Sequence, residues 1–309
     1  MDSLENIEKI KNESQTKYDI SVIIVNWNSG DYLKQTIESL EAFSENNNNN
    51  QVILIDNYSN KKDSSIKYID EELTNKENYL TIKLDKNLGF GSANNLGIKI
   101  SKSKYVLLLN PDVIIKNDIL KILSDYLDKN PKVGMIGPKV LNEDGSFQIS
   151  CMRGEPNPED VFCTLSGLSK LLKNNPNFNR FSLFHLNREQ IQNVAGLSGC
   201  CMMVRRELIE EIGEFDEQFF LYQEETDLCW RAYKAGWSLV YNPEAEILHY
   251  KGITTRQKLL KNNLIFTQSM MKFFEKHHWK NYNFFQKVFW TVLICGNFVL
   301  KYLKMLIRW

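Results

Sequence analysis

A short apolar run that ends abruptly in polar residues is the feature that most constrains how this chain can fold. Tyr105–Leu109 is continuously hydrophobic, as is typical of a central parallel strand that is buried on both faces. Pro111 lacks a backbone N–H, so the chain must leave the sheet there. The turn puts the carboxylate of Asp112 at the carboxyl end of the strand, where open α/β sheets bind ligands. Taken alone, Asp112 is equally well explained as a turn residue or a helix cap.

The neighbouring segments repeat the same strand-and-helix alternation. We expect strands at Ile20–Asn26, 52–55 and 80–84, and helices over 31–43, up to residue 100 and around 119–127. This pattern predicts an α/β fold with a doubly wound, mostly parallel, Rossmann-like sheet.

The second half of the chain follows a less regular pattern. Strands are predicted at 133–137, 139–141, 147–149, 199–204, 238–241 and 246–249, and helices over 207–212 and 224–235. Residues 154–190 contain three prolines and are interpreted as an irregular, substrate-facing insertion or mobile loop. We therefore expect a flexible lead-in over 1–18, one domain over 19–252 with halves at about 19–130 and 131–252, and a C-terminal helical extension over 253–309.

Composition narrows the classes of function. The 309 residues include 38 basic and 38 acidic side chains, so nothing indicates a nucleic-acid partner, which normally needs a basic excess. The six cysteines lack metal-ligand spacing, and the N-terminus lacks an apolar signal region. A cytoplasmic protein with free thiols is expected.

Polar residues end or follow four strands at one predicted edge of the sheet. They are Asn26, Asp56, the segment 87–94 and the segment 110–112. One such residue is ordinary turn chemistry, whereas four at a single edge predict a ligand site. Asp56 is suited to accept the imide N–H of a uracil or thymine base, because an unmatched buried carboxylate is costly. The start of a β-turn is the alternative interpretation of Asp56.

The segment after the third strand contains Gly89 and Gly91. It departs from the dinucleotide-binding G-x-G-x-x-G pattern, since Asn94 occupies the third position and the segment does not follow the first strand. We interpret the two glycines as allowing a nucleotide to approach the backbone closely.

Carboxylates and one histidine are the candidates for chemistry in the second half. Three carboxylates lie at the start of a predicted helix, namely Glu224, Glu225 and Asp227. The helix dipole stabilises each such negative charge by roughly 0.3–1 kcal/mol. The dipole does not explain why the residues just before this helix, 219–222, are apolar. Apolar surroundings shift the pKa of a carboxylate, which can then act as a general base. His249 is either structural or shares a hard divalent cation with Asp112.

In this order, the motifs resemble the family 2 nucleotide-sugar glycosyltransferases, especially the rhamnosyltransferase-like branch that builds bacterial surface polysaccharides. The resemblance covers residues 20–251 almost continuously and extends to 269–277. The matching pieces are Ser-Val-Ile-Ile-Val-Asn-Trp-Asn at 21–28, Ile-Asp-Asn at 55–57, Asn-Leu-Gly-Phe at 87–90, Asn-Pro-Asp at 110–112, Ser-Gly-Cys at 198–200 and Glu-Glu-Thr-Asp-Leu-Cys-Trp-Arg at 224–231. The resemblance implies a GT-A-type fold, inversion at the anomeric carbon and a Mg²⁺ or Mn²⁺ cofactor.

The resemblance also assigns roles to individual residues. Asp112 falls on the last Asp of the D-x-D metal motif, and His249 matches a second metal ligand. Glu225 stands where many members carry the catalytic base, with Glu224 as a rival because Glu is one methylene longer than the usual Asp. The residues expected around the nucleotide sugar are Asn26, Asn28, Asp56, Asn87, Gly89, Asn94 and Asn110. The residues expected on the acceptor side are Gly199, Cys200, Asp227 and Trp230.

The implied activity is transfer of rhamnose or another hexose from a dTDP- or UDP-sugar to a hydroxyl of a glycan or lipid-linked acceptor. A sugar nucleotidyltransferase is one alternative, but it should carry a Gly- and Arg-rich loop where this chain has Asn-Trp-Asn-Ser at 26–29. A non-catalytic nucleotide-sugar-binding module is another, and it should lack the metal carboxylate or the base.

The C-terminal segment 288–309 predicts an amphipathic helix. A basic stripe of Lys287, Lys301, Lys304 and Arg308 lies opposite an apolar face of Phe289, Val292, Val299, Leu303 and Leu306. Its uninterrupted apolar run is shorter than the roughly 20 residues that span a bilayer, and this pattern fits a helix in the membrane interface. We expect a peripheral protein on the inner face of the cytoplasmic membrane. A helix that packs on the protein or forms a homodimer is the alternative.

Overall fold

The computed structural model describes residues 18–43, 49–250 and 259–307, so nearly all of the expected lead-in over 1–18 lies outside the described residues. The first half is built of β-α units, and the strands and helices that were predicted here end within two residues of the observed ones. A short helix at Ser64–Tyr68 was not predicted. The elements are β1 (Ile20–Asn26), α1 (Tyr32–Glu41), β2 (Asn50–Asp56), α2 (Ser64–Tyr68), β3 (Tyr79–Lys83), α3 (Phe90–Ile100) and β4 (Tyr105–Leu109). Every residue of β4 is at most 3% exposed, which confirms that this strand is buried on both faces.

The second half contains strands that range from two to twelve residues in length, together with the C-terminal helices. The elements are β5 (Val113–Ile115), α4 (Ile119–Lys129), β6 (Val133–Leu141), β7 (Met152–Arg153), α5 (Pro158–Leu165), α6 (Leu168–Leu171), β8 (Gln192–Val194), β9 (Gly196–Leu197), β10 (Cys201–Arg205), α7 (Arg206–Ile212), α8 (Glu224–Lys234), β11 (Ser238–His249), α9 (Leu259–His277) and α10 (Phe284–Ile307).

Three sequence-based expectations in this half were wrong. Residues 147–149 are not a strand: Phe147 forms only an isolated bridge and Ile149–Cys151 is a 3₁₀ turn. The two strands predicted at 133–137 and 139–141 form one continuous strand, β6. The two predicted at 238–241 and 246–249 likewise form one strand, β11. Residues 154–190 contain α5 and α6, because Pro158 lies in the first turn of α5, where a missing N–H costs nothing.

The strands form one mixed sheet in the order β3-β2-β1-β4-β10-β6-β11-β5, with β8 beside β11. Pairing is parallel from β3 to β4, and β10 then runs antiparallel to both β4 and β6. The carboxyl ends of β1, β2 and β4 therefore lie at the same edge. In this register Asn26 is paired with Asp56 across β1 and β2.

The C-terminal helices pack on the body of the protein through a second apolar cluster. This cluster consists of Val161, Phe219, Trp230, Met270, Phe273, Phe274 and Ile294, which come from α5, α8, α9, α10 and the loop before α8. Within the described residues, no helix is both long enough and apolar enough to cross a bilayer.

Candidate active site

A cavity of about 690 Å³ opens at the carboxyl edge of β1, β2 and β4. Its polar lining comes from residues at strand ends and in loops. These residues include Ser29, Asn57, Asn87, Asn110, Asp112, Gln148, Arg153, Ser198, Glu224, Glu225 and His249. Nine of the predicted site residues line this cavity. They are Asn87, Gly89, Asn110, Asp112, Gly199, Cys200, Glu224, Glu225 and His249.

Another part of the cavity lining comes from α5 and α9 and is mostly apolar, with Thr164, Lys261 and Asn262 as its polar members. It includes Val161 and Leu165 of α5 and Phe266, Met270 and Phe273 of α9. The cavity therefore extends to residues beyond 252, in the C-terminal helical extension. A helix follows the sheet in the chain but packs back over the sheet edge, and sequence order alone does not reveal that contact.

Strand pairing brings Asp112 and His249 together. His249, the last residue of β11, pairs with Val113 of β5, and Tyr250 N–H donates to the Asp112 carbonyl at 3.0 Å. His249 Nε2 lies 3.3 Å from Asp112 Oδ1, while His249 Nδ1 lies 3.0 Å from Gln148 Oε1. Because an amide oxygen only accepts, Gln148 keeps the proton on Nδ1 and turns Nε2 toward Asp112.

Electrostatics at this pair favour a positive charge between the two side chains. Burial lowers the pKa of His249, but the neighbouring Cys200 and Asp112 outweigh it and raise that pKa to about 10. A metal ion held here would supply the same positive charge in place of the proton, since imidazole coordinates metals only when neutral.

Two buried oxygens at this end of the cavity are available to a cation. Asn110 Oδ1 has no hydrogen-bond partner among the described residues, and Asp112 Oδ1 faces only the His249 ring, 3.3 Å away. Hard divalent cations prefer oxygen ligands of this kind. Among the described residues, no group of three His, Cys, Asp or Glu side chains can hold a metal by itself. The residues fit Mg²⁺ or Mn²⁺ bound jointly with substrate phosphates, as is usual where a protein supplies only one or two charged ligands.

Asn26 and Asp56 lie beneath the cavity instead of lining it. Asn26 Nδ2 donates to Asp56 Oδ1 at 2.8 Å and to Ser65 Oγ at 3.0 Å. The other oxygen of Asp56 accepts from the backbone N–H of Ser59 at 3.2 Å. Asn28, with φ of 50°, binds this same loop, since its Oδ1 accepts from the backbone N–H of Asn60 at 2.7 Å.

The glycine-containing turn before α3 is held by a side chain that sequence reasoning did not single out. Asn57 accepts from the backbone N–H of Leu88 at 2.8 Å and donates to the Gly89 carbonyl at 3.1 Å and to Asn87 Oδ1 at 3.3 Å. Gly89 has φ of 87°, and a Cβ there would lie 2.4 Å from the Phe220 carbonyl oxygen. The glycine therefore admits the loop before α8. Asn94 does not line the cavity and donates to the Phe90 carbonyl at 2.9 Å.

The same loop delivers two carboxylates into the cavity. Tyr222 and Gln223 both adopt left-handed backbone conformations, with φ of 67° and 71°, which is uncommon for residues other than glycine. They turn the chain so that Glu224 and Glu225 begin α8 at the cavity wall. A Cβ on Gly199 would lie 3.2 Å from Glu225 Cβ, so a small residue suits the turn between β9 and β10 that passes this point.

The two adjacent glutamates have different surroundings. Glu224 is buried and its Oε2 has no partner. Burial, followed by the charge of Glu225, raises the pKa of Glu224 well above its usual range. Glu225 instead forms an ion pair with Arg153 at 3.1 Å. Arg153 lies 72 residues away in a two-residue strand, and no motif in the sequence signalled it.

Asp227 and Trp230 lie outside the cavity, on the part of α8 that packs against α9. Asp227 is fully buried and binds Arg231, Lys276 and His277. Trp230 stacks on His278, with ring centroids 5.7 Å apart, and belongs to the second apolar cluster.

Comparison with known proteins identifies sequence families that match most of the chain. The family model described as "Glycosyl transferase family 2" matches residues 21–213, and "Glycosyl transferase family group 2" matches residues 172–309.

Similar individual proteins come from bacteria and an archaeon. The N-acetylglucosaminyl-diphospho-decaprenol L-rhamnosyltransferase of Mycobacterium tuberculosis is 32% identical over 55% of this chain, and the match spans only 58% of that relative. Rhamnosyltransferase WbbL of Escherichia coli is 28% identical over 75% of this chain and 83% of its own length. The low-salt glycan biosynthesis hexosyltransferase Agl10 of Haloferax volcanii is 25% identical over 82% of this chain and 78% of its own length.

Solved structures share the architecture. GalNAc-T7 with UDP, GalNAc and Mn²⁺ has a TM-score of 0.58 at 17% identity, covering 85% of this chain and 48% of that chain. S. aureus TarS has a TM-score of 0.54 at 17% identity, covering 84% and 43%. At this identity the likeness shows the fold, and the expected GT-A-type architecture is confirmed.

Proposed function

The chain belongs to glycosyl transferase family 2, and from that premise we propose that it transfers a hexosyl group, with rhamnose as the first candidate, from a dTDP- or UDP-sugar to a hydroxyl group. One observation carries the proposal. A single cavity joins the oxygens of Asn110 and Asp112, which suit a divalent cation, to the carboxylates of Glu224 and Glu225. A nucleotidyltransferase or a binding module has no need for both groups.

The chain's own residues supply two functions in this reaction. Asn110, Asp112 and His249 would hold Mg²⁺ or Mn²⁺, which neutralises the charge that develops on the leaving diphosphate. Glu225 takes the proton of the acceptor hydroxyl as that oxygen bonds to the anomeric carbon. The bond from that carbon to the diphosphate breaks on the opposite face, and the configuration inverts.

Several facts support the donor and acceptor classes. GalNAc-T7, which shares the fold, was crystallised with UDP and Mn²⁺. The mycobacterial relative is named for a lipid-linked acceptor, and an apolar cavity wall from α5 and α9 suits an acceptor that carries hydrocarbon.

A donor screen with the full chain tests this proposal. We expect release of dTDP or UDP from one member of a nucleotide-sugar panel, dependent on Mg²⁺ or Mn²⁺ and abolished by a chelator. NMR of the product should show an anomeric configuration opposite to that of the donor. Tight binding of a nucleotide sugar without turnover against any hydroxyl acceptor would instead favour the binding module.

We further propose that α10 places the protein on the inner face of the membrane. Its outward side carries exposed apolar residues, namely Phe284, Phe285, Val288, Phe289, Val292 and Val299. Lys287 lies seven residues before the buried Ile294 and so faces inward with it. The apolar face therefore carries the attraction more than Lys287 does. Lys301, Lys304, Arg308, Leu303 and Leu306 lie outside the residues whose side chains are described.

Substitutions on the exposed face test this better than a deletion. Removing residues 288–309 would uncover the second apolar cluster, because Ile294 belongs to it and Trp290 packs on Phe162. We expect the wild type to float with anionic phospholipid vesicles and the triple variant Phe285→Ser/Phe289→Ser/Val292→Ser to remain in solution. Leu171→Ser, which removes an exposed apolar residue of α6, is the matched control. A wild-type dimer that does not float, and that the triple variant makes monomeric, would establish the homodimer instead.

A further inference from the structure

Arg153 contacts the carboxylate of Glu225 through one oxygen only. Its Nη1 and Nη2 each donate to Glu225 Oε1 at 3.1 Å, and Nη1 also donates to Thr226 Oγ1 at 3.1 Å. The exposed fractions of the Arg153 and Glu225 side chains are 18% and 16%, and both residues line the cavity. Charge-assisted hydrogen bonds in such a sheltered place are among the stronger ones in proteins.

The backbone on both sides of Arg153 is fixed. Arg153 pairs with Gly196 of β9, and its carbonyl accepts from the N–H of Ala195 at 2.9 Å. The next residue, Gly154, donates to the Phe181 carbonyl at 2.8 Å. A Cβ on Gly154 would lie 1.7 Å from the Arg180 carbonyl oxygen, so only glycine permits this path. The guanidinium is therefore held in place before any substrate binds, which is the condition for accurate positioning.

The second oxygen of Glu225 is left for the substrate. Glu225 Oε2 makes no hydrogen bond to any residue in the described parts of the chain. The neighbouring Glu224 is buried, has an unpartnered Oε2 and has a pKa raised first by burial and then by the charge of Glu225. A neutral carboxyl group has an O–H to donate, whereas a carboxylate only accepts.

We propose that Arg153 is a positioning residue that holds Glu225 through Oε1 so that Oε2 takes the proton of the acceptor hydroxyl, while neutral Glu224 donates a hydrogen bond to a substrate oxygen. This inference rests on the proposed glycosyl transfer and assigns separate roles to the two glutamates. The acceptor oxygen bonds to the anomeric carbon, its proton passes to Glu225, and the electron pair of the broken bond leaves on the diphosphate. Glu225 returns the proton to solvent after the product departs.

A double-mutant cycle tests whether Arg153 acts through Glu225. We expect Arg153→Met to lower kcat by about 10- to 100-fold with little change in donor KM, since misplacement of a reacting group has effects of that size. Arg153→Lys keeps the charge without the planar fork and should recover part of the loss. In the Glu225→Gln background, Arg153→Met should add less than about threefold further loss, because the group that it positions is already gone.

Glu224 has its own test in the same series. Glu224→Gln keeps a donor of similar shape, so kcat should stay within about tenfold of the wild type, well short of the loss from removing a base. Arg180→Met is the matched control for Arg153, because it removes an exposed cation from the same region. The melting temperature of each variant reports on folding, and Arg153→Lys carries the test if Arg153→Met does not fold.

The outcomes are distinguishable. Full multiplicative losses from Arg153→Met and Glu225→Gln, or a raised KM with unchanged kcat in Arg153→Met, would overturn the role of Arg153. A loss in Glu224→Gln as large as that in Glu225→Gln would overturn the assignment of Glu224. If the wild type transfers no sugar to any hydroxyl, the proposed function itself fails. That outcome is separate from a failure of the roles assigned to Arg153 and Glu224, which only an active wild type can show.

Discussion

The first turn of α8 carries buried carboxylates that face two regions of the molecule, and the pKa of the carboxylate is shifted in opposite directions in the two regions. On the cavity side, Glu224 keeps an unpartnered oxygen and has a raised pKa. On the side that faces α9, Asp227 receives hydrogen bonds from Lys276 and His277, each at 2.6 Å, and from Arg231 at 2.8 Å. Burial alone raises the pKa of Asp227, but His277, Lys276 and Arg231 outweigh it and lower that pKa to about 2.

Both carboxylates are buried, so burial does not distinguish the structural one from the one that faces a ligand. Their hydrogen-bond and ion-pair partners do. An unsatisfied buried polar group costs about 1–3 kcal/mol, so an unpartnered oxygen that borders a cavity points to a missing ligand. Asp227 has no such oxygen, and it joins α9 to α8. Asp112 lies on the cavity side with Glu224, and the only described side chain near its Oδ1 is the His249 ring, 3.3 Å away.

The largest effect is expected at Asp112, on the cavity side. Asp112→Ala removes the charged ligand that would hold the metal against the diphosphate, a contribution of several kcal/mol. We expect sugar transfer to fall by about 10³-fold or more, and His249→Ala to weaken the dependence on metal concentration. Nucleoside diphosphate release measured across a Mn²⁺ titration checks both. Full activity of Asp112→Ala in the presence of a chelator would contradict the metal assignment.

Removing the base is expected to have the next largest effect. Glu225→Gln keeps the size of the side chain but removes the proton acceptor, so kcat should fall by about 10²–10⁴-fold. Donor affinity, measured by calorimetry, should change little. If Glu224→Gln shows this loss and Glu225→Gln does not, the two roles must be exchanged.

Asp227 should affect stability more than catalysis. Asp227→Asn leaves Lys276, His277 and Arg231 around a neutral amide, and removing one partner of a buried ion pair is destabilising. Lys276 is 28% exposed, so solvent partly screens its interaction with Asp227. We therefore expect the free energy of unfolding to fall by about 2 kcal/mol, less than for a fully buried ion pair. Urea denaturation measures this change. A kcat loss as large as that of Glu225→Gln, with unchanged stability, would place Asp227 with the cavity residues after all.

The smallest effect is a pH dependence of stability that comes from the same residue. The pKa of Asp227 is about 2 in the folded protein and about 3.9 in an unfolded chain. Its contribution is therefore present above about pH 4 and is lost as the pH falls from about 4 to 2, amounting to about 2 kcal/mol. Unfolding curves of the wild type and Asp227→Asn should converge over this interval. Parallel curves would show that Asp227 is not the group responsible.

The sheet and half of the candidate site followed from local patterns. An apolar run that stops at Pro111 predicts a buried strand and a polar turn, and parallel strands carry such turns to one edge. Asn110 and Asp112 were identified on that basis. Glu224 and Glu225 were identified from their place at the start of a predicted helix and from the family resemblance, and all four residues line one cavity. Asn26 and Asp56 were expected to contact a nucleotide directly, yet the structure surrounds them with protein partners beneath the cavity.

By itself, the sequence determined the positions of the strands in the first half, the carboxylates available for chemistry and the amphipathic pattern of the C-terminal segment, because each depends on residues close together in the chain. Tertiary structure alone decided how those carboxylates differ. Arg153 reaches Glu225 across 72 residues, and Lys276 and His277 reach Asp227 across 49 and 50. The behaviour of a buried charge depends on the groups within a few ångströms of it, and folding, not chain order, brings those groups there.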